Sequence, residues 1–86
     1  MNSKQRKTLK ALFAEPIRRN IQWSEVVSLI KGLDGEVIQG QGSRVRFDCN
    51  GVALNLHSPH PGKELKRYQV QAVRDFLRQA GINDEV

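Results

Sequence analysis

The sequence predicts an α+β domain in which helices cover one face of a three-stranded antiparallel sheet. Three observations carry this. Apolar residues recur at helical spacing before residue 34 and after residue 66, and alternate with polar ones between residues 43 and 57. Asn50-Gly51 stands between the two alternating runs and is the strongest short hairpin signal, because both residues tolerate positive φ.

Each element follows from local chemistry. Leu9, Leu12 and Phe13 sit at i, i+3, i+4 among Lys4, Arg6, Lys7 and Lys10, which predicts an amphipathic helix over Ser3 to Ala14. Pro16 stops it, since the residue before a proline avoids helical angles, and Pro16 to Gln22 reads as a connector. Ser24 is the expected N-cap of a second helix, with Glu25 in its first turn and Trp23 as a staple. Val26, Val27, Leu29, Ile30 and Leu33 form its apolar face, and Gly35 is expected at a left-handed C-terminal position. Glu36 to Gln39 is a short strand, Gly40-Gln41-Gly42 a turn, and Ser43 to Asp48 a strictly alternating strand. After the hairpin, Val52 to His57 returns, with Val45 and Phe47 inward beside Val52, Leu54 and Leu56. The Pro-rich run 58–62 is a loop. A last helix, Lys66 to Ala80, places Tyr68, Val70, Val73, Phe76, Leu77 and Ala80 on one stripe, and Gly81-Ile82 closes it.

Composition excludes several functions. No apolar run approaches the ~20 residues of a membrane helix, and the polar, Lys-rich start is unlike a signal peptide, so a cytoplasmic protein is expected. Cys49 is the single cysteine, and with two His it is too sparse for a structural zinc site. No carboxylate pair suggests magnesium, and Gly40-Gln41-Gly42 lacks the spacing of a phosphate loop, so neither metal nor cofactor is expected. The net charge is +5, and residues 1–19 alone hold six basic groups against Glu15. That bias favours a polyanion or an acidic protein partner over a neutral small molecule.

An antiparallel sheet covered on one face leaves the other open. Alternation assigns Arg44, Arg46, Asp48, Asn55 and His57 to that open face, flanked by His60 and Lys63 from the loop. Guanidinium groups suit phosphate and imidazole can carry a proton near neutral pH, so the patch fits an RNA backbone. It has no aromatic platform for stacking bases, which argues against sequence readout of single strands. The blander alternatives are that Arg44 and Arg46 pair across strands with Glu36 and Asp48, that His57 is a solvated polar residue, and that His60 caps the last helix. About Asn50-Gly51, antiparallel pairing sets Arg44 opposite His57.

The segment from Trp23 to Ile82 resembles the HicA family of bacterial toxins. The shared features, in order, are the Ser-started helix ending at Gly35, then Gly42-Ser43, the hairpin, His60-Pro61, Glu64-Leu65, and a last helix ending Gln79-Ala80-Gly81-Ile82. The resemblance implies a fold like a double-stranded-RNA-binding domain, α-β-β-β-α, here with an extra N-terminal helix. It further implies a metal-independent mRNA interferase neutralised by a HicB-like antitoxin, with Ser43 joining the RNA-binding residues. HicA toxins usually carry a His directly after the Gly-Ser or one position later; here those positions are Arg44 and Val45. Arginine stays protonated, so it stabilises an anion but cannot accept the 2′-hydroxyl proton. Either the catalytic role falls to His57, with Arg44 and Arg46 steadying phosphate and His60 of the His-Pro loop as its competitor, or the chain binds RNA without cutting it. The expected organisation is an N-terminal helix and connector, 1–20, followed by an RNA-binding domain, 21–86. The alternatives are a catalytically inactive RNA-binding module, or a protein-interaction domain with no RNA role.

Overall fold

The chain runs α1 (Ser3–Phe13), α2 (Trp23–Gly32), β1 (Glu36–Gln39), β2 (Arg44–Cys49), β3 (Val52–His57) and α3 (Arg67–Gln79). This computed structural model describes residues 1–59 and 63–84. The order is the expected one, with element ends shifted by a residue or so where caps differ from the sequence reading.

Asn2 caps α1: its Oδ1 accepts the Gln5 N–H at 2.8 Å, and Gln5 Oε1 accepts the Asn2 N–H at 2.9 Å. Ser24 is not the cap of α2. Gln22 is, because Glu25 Oε1 reaches back to its N–H at 3.0 Å. Trp23 therefore opens the helix instead of stapling onto it, and its ring stacks on Phe47 at 5.5 Å between centroids. At the other end the left-handed position is Asp34 (φ 62°), not Gly35. The Asp34 N–H donates to the Lys31 carbonyl and the Gly35 N–H to the Ile30 carbonyl, a Schellman closure shifted by one residue. Gly35 is required for another reason: a Cβ there would stand 2.8 Å from the Asp48 carbonyl oxygen.

The sheet is antiparallel throughout in the order β1-β2-β3. Asn50 (φ 51°) and Gly51 (φ 80°) both take positive φ, as the two-residue hairpin demands. Asn50 adds a second link, since its side-chain amide donates to the Ala80 carbonyl at the end of α3 at 2.8 Å. Gly81 (φ 79°) and Ile82 close α3, the Ile82 N–H donating to the Leu77 carbonyl.

One core joins all the elements. Val45, Phe47 and Cys49 face inward from β2, and half-buried Val52, Leu54 and Leu56 from β3. They meet Val26, Leu29 and Ile30 of α2 and Val70, Val73, Phe76 and Leu77 of α3. Helix α1 packs across α2 and α3, and its Leu9 and Leu12 are buried in the same cluster. Tyr68 departs from the expected stripe: it is 67% exposed, while Gln69 is buried one position later. Arg74 is buried too, at 2% exposure. Its guanidinium donates to the Leu12 carbonyl at 2.7 Å, to the Ala14 carbonyl at 2.8 Å and to the Glu15 carboxylate. One α3 side chain thus satisfies backbone acceptors that the end of α1 leaves open.

Candidate nucleic-acid interface

Strand alternation turns Arg44, Arg46 and Asp48 of β2, and Ala53, Asn55 and His57 of β3, away from the helices. The register pairs Arg44 with His57 and Arg46 with Asn55, as the hairpin arithmetic requires. Ile38 of β1 lies opposite Arg46 and is 43% exposed, so it shares this face. Ile38, Gly40, Arg44, Arg46, Asn55 and His57 border a shallow depression of about 410 Å³.

The His57 end of this face is tied down from three directions. The Ser43 Oγ lies 3.0 Å from His57 Nδ1. The Ser58 N–H donates to the Ser43 carbonyl at 2.8 Å, extending the pairing one step past the strand ends. Beneath, the Gln69 amide of α3 donates to the His57 carbonyl at 2.7 Å. The ring is therefore oriented through Nδ1, which leaves Nε2 for a ligand. When Nδ1–H donates to Ser43, Nε2 presents a lone pair and can take a proton. When Ser43 donates to Nδ1, Nε2–H can give one.

The two arginines differ. Arg46 pairs with Asp48 at 3.1 Å, so the expected cross-strand partners are replaced by a bridge along one strand, over which Arg46 keeps about half its exposure. Arg44 makes no ion pair or side-chain hydrogen bond with any described residue. It is the unengaged cation beside His57. Val45 is 2% exposed and faces the core, so position 44 alone of the two candidate positions points outward.

Of the remaining predicted residues, Asn55 is on the face, and Ser43 is at its edge holding His57. Lys63 is exposed but does not border the depression; its carbonyl accepts the Trp23 N–H at 2.8 Å. His60 lies outside the described residues. The alternation in β2 and β3 does not single out Ile38, Ser58 or Gln69, which the structure adds to this end of the sheet. The period-2 rule applied to Glu36 and Ile38 would have found the first. The other two act through backbone carbonyls, for which the sequence carries no signal. Cys49, the one thiol, is buried, and burial together with the charge of Asp34 pushes its pKa up, opposite to what a nucleophile requires.

A three-stranded antiparallel sheet backed by helices in α-β-β-β-α order, preceded by one further helix, defines a small α+β domain like a double-stranded-RNA-binding domain. The family model described as HicA toxin of bacterial toxin-antitoxin matches residues 23–82, from the first residue of α2 to the closure of α3. The chain belongs to the HicA toxin family, the toxin side of a toxin–antitoxin pair, and that membership implies an antitoxin partner. No curated protein and no solved structure matches it. No helix among the described residues is long and apolar enough to cross a membrane.

Proposed function

We propose that this toxin binds mRNA in the cytoplasm on the open face of its sheet, cleaves it without a metal, and is neutralised by a HicB-like antitoxin. The observation that carries the proposal is the cluster of Ser43, Arg44 and His57, in which an oriented imidazole stands opposite a guanidinium that no described residue pairs. Directly paired strand residues have Cβ atoms about 4.5–5.5 Å apart, within reach of one phosphate. Family membership supports the same reading.

In this mechanism His57 Nε2 takes the proton of the ribose 2′-hydroxyl. The 2′ oxygen bonds to phosphorus as the bond to the 5′ oxygen breaks, leaving a 2′,3′-cyclic phosphate, and the protonated imidazole returns its proton to the departing 5′ oxygen. Arg44 carries the charge that develops on the phosphorane oxygens, which its permanent protonation suits. Ser43 keeps the ring in place through Nδ1.

Because Arg44 and Val45 occupy the two positions where the family's histidine usually stands, an RNA-binding scaffold without cleavage is the second reading. Cleavage of a defined RNA by the wild type, His57→Ala and Arg44→His separates the two. The proposal predicts cyclic-phosphate products from wild type and a fall of about 10²–10⁴-fold in His57→Ala, the usual worth of a general acid–base group. Unchanged cleavage in His57→Ala overturns the assignment. An inert wild type with activity appearing in Arg44→His establishes the second reading instead.

A further inference from the structure

A second basic surface lies outside the sheet. The connector after α1 and the entry to α3 enclose a groove of about 490 Å³, bordered by Arg18, Arg19, Lys66 and Arg67 and by no acidic side chain among the described residues. None of the four makes an ion pair with a described residue. Glu15, the nearest acid in sequence to the connector cations, is held by Arg74. Arg18 also borders a neighbouring groove with Lys7 and Lys10 of α1, where Glu25 is the one acidic side chain among the described residues, so three cations to one acid carry the basic surface toward α1.

The charges are placed against local stability. Lys66 is the N-cap of α3, Arg67 its first residue, and no acidic residue sits in the first turn. Positive charge there opposes the helix dipole, and four like charges along one groove repel one another. A bound anion relieves both. Pro16, Ile17 and Leu65 also line the groove, Leu65 buried in the core and Ile17 half-buried against it. Its charge comes from the four cations alone among the described residues, and repeating phosphates fit such a stripe of spaced cations. The first turn of α3, which supplies Lys66 and Arg67 to the groove, is tied to the end of β3 by the Gln69 amide, which donates to the His57 carbonyl.

We propose that this groove binds the phosphate backbone of the same RNA strand beyond the sheet, lengthening the footprint through Arg18 and Arg19, which precede the family-matched segment, together with Lys66 and Arg67 inside it. The proposal rests on the RNA reading above. It is tested with the full chain and labelled 2′-O-methyl oligouridines of about 6 and about 18 nucleotides, shorter and longer than the span of one small domain. Anisotropy titrations from about 50 to about 200 mM salt compare wild type, Arg18→Ala/Arg19→Ala, and Lys4→Ala/Lys31→Ala, which removes the same charge elsewhere. Losing two phosphate contacts should shallow the salt slope for the long strand by about 1.4 in Arg18→Ala/Arg19→Ala, with the short strand unaffected and the control unchanged on both. If the groove variant binds the long strand like wild type, or the control loses as much, this proposal is wrong while the sheet site stands. Intact RNA binding with weakened antitoxin binding in the groove variant assigns the groove to the protein partner and overturns the proposal. Wild type that binds neither length overturns the RNA reading and the groove together.

Discussion

At Asp34-Gly35, two neighbouring residues exchange the roles that residue type alone suggests. Asp34 takes the left-handed backbone, which a short polar side chain tolerates, and Gly35 is confined between the Asp48 carbonyl and the Ile30 side chain. Gly35→Ala is therefore expected to cost about 1–3 kcal/mol through overpacking, while Asp34→Asn stays near neutral. Urea unfolding of the two variants checks this, and a costly Asp34→Asn with a silent Gly35→Ala would reverse the assignment. Cys49 gives a second test at this scale. Its pKa is raised by burial and then by Asp34, so the folded thiol holds its proton more tightly than the unfolded one. The stability this contributes is complete below the ordinary thiol range and declines as pH climbs through the raised value. At neutral pH an alkylating reagent should modify Cys49 only as fast as the protein opens; labelling at the rate of a free thiol would contradict this.

Arg74 shows what an element can hide from its own sequence. It falls between Val73 and Leu77 on the apolar stripe of α3, so the spacing marks it for burial. Its partners are carbonyls of Leu12 and Ala14, some sixty residues away, and no sequence pattern announces a backbone acceptor. Tyr68 and Gln69 teach the same lesson in reverse. The polar Gln69 is the buried one because its amide finds the His57 carbonyl and its Oε1 accepts the Lys66 N–H at 2.8 Å. Replacing Arg74 by Ala leaves two carbonyls unpaired, each costing about 1–3 kcal/mol. Thermal unfolding of Arg74→Ala should show a large drop, and Arg74→Lys only partial recovery, because an ammonium cannot form the planar fork. A melting temperature unchanged in Arg74→Ala would mean that α1 is not held at this point.

For the whole molecule, the order of elements, the hairpin and the Arg44–His57 register were legible because periodicity and Asn50-Gly51 are local signals. The Ser43–His57 contact and the depression around Ile38 depend on side-chain placement across strands, and the Arg46–Asp48 bridge on rotamers along one strand, none of which period alone fixes. Treating residues 1–20 as an accessory element remains a proposal with its own test. A chain beginning at Ile21 loses Leu9, Leu12 and Phe13, the first two fully buried and each contributing about 1.5–3 kcal/mol. Calorimetry should show it folded with a markedly lower melting temperature; complete unfolding would place α1 inside the domain. The central claim is that the open sheet face is where RNA lies. Its most direct measurement is an amide chemical-shift titration of the full chain with a short 2′-O-methyl RNA, which lacks the attacking hydroxyl and so cannot be cut. The account predicts saturable shifts centred on Ser43, Arg44, Arg46, Asn55 and His57, weakening with salt. Shifts confined to the helical side, with those five residues unmoved at saturation, would contradict it.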